Sequence, residues 1–488
     1  MKTCYSRIPL LAVSLLSSAL AGTVTHNADS GAGSLRDVIG AADDGETITF
    51  ALALNGSTIT LTTGPLGITG RKLTLDASAL PSGITLSGND SSRILTIEGN
   101  ADVTLRSLHL RNGRVSATNG GGIYAFQSHL VLDACSIANC YSKNDGGGLW
   151  GNGITGSIQR SAIVGNLSEN FGGGIFLMGV NSFTLLSAQI SGNKSPTGGG
   201  LYNFVASPTL ANCSIQGNSG GGMQSESMLP LVSNPVLRNC IVWGNSASGG
   251  SLASQQLKNG DNSRPNVDFC LIESATNAAS FGDGNLVVWG SKNLNGTSAN
   301  PNFIGPVNAA NAPNSTADLR VFADSPVLNV GSNDAIRTSL DLARITRVQD
   351  ITIDLGAYEG GYESFSHLYP TLTPGADQNG NGLSNFLEYA LGIDPTGPGD
   401  LSSLPTVTTS GGSLVITATQ RINGSDIARA WWETSSSLAP LSWQPMIENV
   451  HYLPKSTMTL SPGRQQVVIT LLTQEPRRFY RQGFSNQN

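Results

Sequence analysis

Gly146-Gly147-Gly148-Leu149-Trp150 is one copy of a string that recurs along this chain. It is preceded by Gly120-Gly121-Gly122-Ile123-Tyr124 and followed by Gly172-Gly173-Gly174-Ile175-Phe176 and Gly198-Gly199-Gly200-Leu201-Tyr202. These steps are 26 residues each, and a fifth triplet, Gly220–Met223, follows after 22. Between the triplets lie further matched positions. Ile137, Ile163, Ile190, Ile215, Val242 and Ile272 form one column, and Leu132, Ile158, Leu185, Leu210, Leu237 and Val267 lie five residues before it. Two residues before the column come Cys135, Ser161, Ala188, Cys213, Cys240 and Cys270; three after it come Cys140, Asn166, Asn193, Asn218 and Asn245. A fixed period with chemically uniform columns predicts a solenoid, in which each coil stacks on the next and like residues meet like.

The string L-x-x-C-x-I-x-x-N resembles a leucine-rich repeat, but the rest of that unit would need helix or turn material. Gly-Gly-Gly followed by an apolar–aromatic pair is poor helix and good strand sequence. The repeat therefore predicts a parallel β-helix with two or three short strands per coil, asparagine at corners where stacked amides can bond, and glycine where φ must be positive. Apolar–Thr–apolar triplets extend the pattern upstream, from Ile48-Thr49-Phe50 to Val103-Thr104-Leu105. Ahead of them, Leu35, Val38, Ile39 and Ala42 have helical spacing behind an N-cap at Ser34, suiting a lid over the open end.

The composition agrees with stacked coils. Of 488 residues only 12% are charged, with 59 glycines and 40 asparagines, and the net charge of −6 gives no basic surface for nucleic acid. Lys2 and Arg7, an apolar stretch from Ile8 to Leu20 and the triplet Ala19-Leu20-Ala21 read as a signal peptide over 1–21. The expected location is secreted or outer cell surface, with the periplasm also open to such a leader, and no transmembrane helix in the mature chain. Five cysteines then remain, an odd number that argues against a full disulfide framework. For Cys213, Cys240 and Cys270, on successive coils in the small-residue column, buried free thiols are expected.

One chemical motif lies beyond the repeats. Asp377-Gln378-Asn379-Gly380-Asn381-Gly382-Leu383-Ser384-Asn385-Phe386-Leu387-Glu388 matches D-x-[DN]-x-[DN]-G-x5-E in full. Asp377, Asn379 and Asn381 would give calcium side-chain oxygens, Leu383 its carbonyl, Asn385 a direct or water-mediated contact, and Glu388 both carboxylate oxygens. The exiting helix is readable over 384–391, whereas Pro370 and Pro374 stand where an EF-hand's first helix would be. The motif is half an EF-hand and resembles a dockerin or thrombospondin type 3 loop. No Lys or Arg lies between Arg347 and Arg421, against eight acids: Asp350, Asp354, Glu359, Glu363, Asp377, Glu388, Asp394 and Asp400. Two carboxylates in the loop predict a weak, structural site with a Kd of about 10⁻⁴ to 10⁻³ M.

Catalysis on a β-helix would need clustered carboxylates with bases on one face. Between 120 and 250 only Asp133, Asp145, Glu169 and Glu226 face Lys143, Arg160, Lys194 and Arg238, and they form no acidic pair. Arg238 and Asp268 share a column, which a surface ion pair accounts for. The histidines have no metal spacing, and the Asn-Thr-Asp and Gly-His-Gly strings of polygalacturonases are absent. No catalytic residue is assigned. The columns do supply a binding feature: Tyr124, Trp150, Phe176 and Tyr202 follow the apolar residue of each triplet and alternate to the other face. If exposed they would form a platform for polysaccharide or another cell-surface component; if covered they are packing.

Residues 301–363 read as closing coils. Ser325-Pro326-Val327-Leu328-Asn329-Val330-Gly331 and Asp354-Leu355-Gly356-Ala357-Tyr358-Glu359 resemble the end of choice-of-anchor Q exported β-helix proteins, and the glycine repeats are similar to those of polymorphic outer-membrane proteins. That resemblance implies export and architecture but no reaction. The predicted organisation is all-β: a right-handed parallel β-helix with its N-terminal cap helix over 22–365, a calcium-binding loop-helix linker over 366–403, and a small β-sandwich over 404–488. The expected role is structural, adhesin-like or carbohydrate-contacting. The alternative is a polysaccharide lyase or glycoside hydrolase with its site on the irregular loops between 251 and 320.

Overall fold

Alternation of buried and exposed residues over three to five positions makes short strands, and the 26-residue period places three of them in each coil. The structure, a computed structural model, describes residues 22–486 apart from 180–181, 261, 283, 336–337, 349–350, 363–367, 370, 392, 398–403, 411–412, 422–426, 436–443, 446–455, 462–463 and 472–478. The signal segment falls outside these. The strands stack into three parallel sheets: sheet A with 11 strands from Thr23–Val24 to Val288–Trp289, sheet B with nine from Thr58–Thr60 to Leu271–Ile272, and sheet C with eight from Leu66–Thr69 to Leu257–Asn259.

The sequence columns are the registers of this stack. Ile137, Ile163, Ile190, Ile215, Val242 and Ile272 pair in succession through sheet B, all fully buried. Leu132, Ile158, Leu185, Leu210, Leu237 and Val267 do the same in sheet A. Each such side chain removes roughly 1.5–3 kcal/mol worth of apolar surface from water. Helix α1, Leu35–Ala41, covers the first coil, with Leu35 and Ile39 buried and the Ser34 side chain accepting from Asp37 N at 3.2 Å.

At the corner after sheet B, Asn166, Asn193, Asn218 and Asn245 form a buried amide ladder. The amide oxygens of Asn193, Asn218 and Asn245 each accept from the previous asparagine's backbone and side-chain N–H at 2.8–3.0 Å, and that of Asn166 accepts from Cys140 N at 2.9 Å. Gln256, from helix α2, Leu252–Gln256, closes it. The glycine triplets face this ladder. Gly172 has φ +65°, and a Cβ on Gly174 would lie 2.6 Å from Gly200 O, so neighbouring coils could not approach with any larger residue. Cys135, Cys140, Cys213, Cys240 and Cys270 are free and buried, and burial pushes the Cys135 and Cys140 thiols up to about 12.

Residues 301–362 differ from the sequence expectation: they do not continue the coils. Phe303–Gly305, Asp318–Phe322 and Gly361–Tyr362 make a separate three-stranded sheet, and the segment runs back over the outer face of sheet B. Contacts with much earlier coils fix its course. Gln189 Nε2 donates to Ala317 O (3.2 Å), Ser187 bonds Thr338 (2.9 Å), Ala357 N donates to Ser214 Oγ (3.0 Å), and Arg344 reaches Ser107. The physical reason is the outer face itself. Ala138, Val164, Ser191, Gln216, Ile241 and Leu271 are small, apolar or uncharged and need a cover.

Beyond the solenoid come helix α3, Asn385–Leu391, and two antiparallel sheets. One joins Thr406–Ser410, Ser413–Arg421, Arg464–Thr470 and Ser456–Ser461 around buried Ile416, Ala418, Val467, Ile469 and Leu471. The other joins Gln444–Pro445, Ile427–Ser435 and Phe479–Asn486.

Candidate functional site

The loop 377–388 turns tightly because Asp377 holds three backbone donors: Oδ1 accepts from Gly380 N (2.8 Å) and Asn381 N (3.2 Å), and Oδ2 from Gly382 N (2.8 Å). Gly380 and Gly382, at φ +73° and +87°, supply the left-handed turns. The loop then folds over Glu388 on the first turn of α3. Asn379 and Asn381 both direct their side-chain amides at Glu388 Oε1, at 2.9 and 2.7 Å. Glu388 is fully buried, and among the described residues its Oε2 has no hydrogen-bond partner.

A buried carboxylate oxygen without a partner costs several kcal/mol unless a charge faces it. Rotating the two asparagine amides would turn four oxygens from Asn379, Asn381 and Glu388 inward, the hard-oxygen set that calcium takes. These residues fit a calcium ion. Leu383 N donates to Asn381 Oδ1 (2.9 Å), which keeps that residue in the same turn. Asn385 is placed differently from its expected role: its amide accepts from Gln378 N and donates to Thr373 O, both at 2.9 Å, so here it staples the loop's own backbone. No group of three or more His, Cys, Asp or Glu is arranged for a metal among the described residues, so the site is amide-rich and low in charge.

The acid-rich flank has another purpose. Asp341, Asp354 and Glu359 are buried around Arg347, which is 1% exposed and pairs with Glu359 at 3.2 Å. Arg347 also donates to Gly356 O. Asp341 accepts from Ile345 N and Glu359 N, and Asp354 from Asn329 N and Gly360 N. This clasp ties the two recognisable motifs of the returning segment together. Two acids counted towards a cation site thus belong elsewhere.

Burial pushes the Glu359 carboxyl up to about 9, against the pull of Arg347 and with Asp354 and Asp341 adding to the rise. A folded-state value above the ordinary 4.5 means the fold favours the protonated acid. Its contribution is complete below that ordinary value and declines as pH rises towards 9. Glu359→Gln should therefore flatten the fall in unfolding midpoint between pH 5 and 9, and an equally steep fall in the variant would contradict this assignment.

Tyr124, Trp150, Phe176 and Tyr202 stand in register on sheet C, opposite the aliphatic face. They stack with centroid spacings of 4.6, 6.4 and 5.4 Å and interplanar angles of 13°, 7° and 10°. Arg93 lies 4.9 Å over the first ring and Phe171 packs at 4.8 Å on the last. Trp150, Phe176 and Tyr202 are 6–7% exposed, whereas Tyr124 is half-buried. The sequence posed exposed platform against core; the structure gives a third arrangement, outside the aliphatic core yet closed by the rings themselves.

Arg238 and Asp268 are register partners but form no ion pair. Arg238 donates to Asn266, and Asp268 accepts from Lys292 N. Arg160 with Asp133 is the ion pair on the repeats, at 2.5 Å.

The family model described as the right-handed β-helix region matches residues 93–295, the coils that carry the aromatic and asparagine ladders. The chain is similar to that family there; the returning segment and the loop 377–388 lie outside the match. No curated protein and no solved structure matches the chain.

Proposed function

We propose that this chain is an exported solenoid, secreted or displayed at the outer cell surface, whose role is structural, adhesive or carbohydrate-contacting. A calcium ion held by Asp377, Asn379, Asn381, Leu383 and Glu388, with Asn385 bracing the loop, stiffens the 366–403 linker ahead of the antiparallel sheets. The observation that supports the calcium assignment is the buried Oε2 of Glu388, without a hydrogen-bond partner among the described residues, while Asn379 and Asn381 converge on the neighbouring Oε1. Export rests on the leader over 1–21 and on the resemblance to choice-of-anchor Q proteins. The motifs of that resemblance have a physical role in this chain as the Arg347 clasp. The aromatic ladder serves as packing along sheet C, with Phe126, Met178 and Phe204 partly buried beside it.

A lyase or glycosidase reading would require paired carboxyls open to substrate. The carboxyl most shifted toward a general acid, Glu359, is enclosed in the clasp instead. Incubation of the purified chain with neutral and uronic polysaccharides should release no reducing ends or unsaturated products, and sustained release would overturn the non-enzymatic role. For calcium, a site of about 10⁻⁴ to 10⁻³ M should add about 1.4–2.7 kcal/mol at ~10 mM ion. A melting curve with chelator should be shifted down accordingly, and Glu388→Gln should remove the difference. Identical curves with calcium and with chelator would sink the structural ion.

A further inference from the structure

A groove of about 710 Å³ runs along the seam between sheet B and the returning segment, within the size range of small-molecule sites. Its floor comes from two register partners on the outer face of sheet B, Gln216 and Trp243. Its far wall comes from the returning strands, with Phe322 half-buried and Asn302, Asn308 and Asp324 toward the rim.

The walls are held in place. Gln216 clamps Val307 as a strand would, its Nε2 donating to Val307 O at 2.7 Å and its Oε1 accepting from Val307 N at 3.1 Å. Ser325 Oγ donates to Pro301 O at 2.7 Å, closing the base of the loop that carries Asp324. A groove assembled this way needs little ordering on binding, which favours affinity.

Its chemistry selects among ligands. Half-buried aromatic rings offer apolar surface with a fixed orientation, and the rim offers amides and a carboxylate: Asn302 Nδ2 donates to Asp324 Oδ1 at 3.3 Å. An amide beside a carboxylate presents a donor and an acceptor to adjacent hydroxyls, while a ring supports the C–H face between them. None of the described residues lining the groove is basic, which offers no cation to a uronate or sulfate. We infer that this seam groove binds a short stretch of neutral polysaccharide, with Trp243 as the stacking ring and Asp324 and the neighbouring amides as hydroxyl partners. The inference rests on the carbohydrate-contacting reading and moves its site from the repeats to the returning segment.

Native affinity electrophoresis of the full chain tests it, using soluble xylan, mixed-linkage β-glucan and galactomannan as probes and polygalacturonate as the anionic counter-probe. At least one neutral polymer should retard the protein, and polygalacturonate should not. Asp324→Ala and Trp243→Ala should each weaken retardation about tenfold or more, the scale of a lost hydrogen bond to a charged group. Trp243 also packs beside Phe303 and Leu319, so Trp243→Phe, which keeps a ring, should lose less than Trp243→Ala and guards against misfolding. Tyr124→Ala should bind as the parent does. Retardation that survives Asp324→Ala and Trp243→Ala, or that falls with Tyr124→Ala instead, overturns the groove while sparing carbohydrate contact. No retardation by any neutral polymer, or stronger retardation by polygalacturonate, overturns both.

Discussion

Arg347→Met is expected to cost about 3–5 kcal/mol, because it removes the buried cation that faces Asp341 and Asp354. Arg347 is a cation among three buried carboxyls, and their remaining partners are chiefly backbone N–H groups. The cost should be local to the returning segment before it becomes global. Limited proteolysis should open residues 301–362 while the coils remain protected, and denaturant unfolding should show a lowered midpoint. Combining Arg347→Met with Asp341→Asn should recover part of the loss, since the buried negative charge falls. A single variant within about 1 kcal/mol of the parent would mean the clasp contributes little.

Asn193→Leu is the second large effect. Leucine has nearly the shape of asparagine, so the substitution tests hydrogen bonding with little change in packing. It removes the acceptor of Asn166 N and of Asn166 Nδ2, and the donor to Ile163 O and Asn218 Oδ1. Four lost bonds, two of them leaving a buried Asn166 donor without its acceptor, add to about 3 kcal/mol or more. Hydrogen exchange should then quicken at the corners on either side of residue 193, since each rung holds its neighbour. Unchanged stability in this variant would show the ladder to be incidental.

These two predictions mark what could be read in the residues and what could not. The coils were legible because a solenoid repeats its environment every turn, so the identities in the isoleucine, leucine and asparagine columns report one position many times over. Their registers matched without a slip from 132 to 272. The returning segment has no such redundancy. Its strands pair once, and its partners sit up to 237 positions away, at Ser107 for Arg344. A signal did exist: the outward neighbours of the isoleucine column, from Ser136 and Ala138 to Ser214 and Gln216, carry no charge, which a solvent-facing strand would have shown. Gln256 as the ladder's end was hidden by an insertion that breaks the period.

The functional residues divide in the same way. The tight turn over 377–388 was legible because its polar residues are local in sequence and fixed by spacing; calcium there is our proposal. Asp354 and Glu359 were misassigned to the same acidic stretch because proximity in sequence does not reveal burial with Arg347. The aromatic column was correctly placed on the face opposite the aliphatics. Its closure was not visible, since stacking within one column depends on ring rotation and on flanking Phe171. The seam groove needed the returning segment's path and had no motif of its own.

The central claim is a structural solenoid whose linker is locked by calcium at one amide-rich loop. Calorimetric titration of the full, chelator-stripped chain with calcium tests it most directly. The account predicts one site with a Kd of about 10⁻⁴ to 10⁻³ M, abolished in Glu388→Gln. No binding heat up to ~10 mM calcium, or the same isotherm in Glu388→Gln as in the parent, would contradict it.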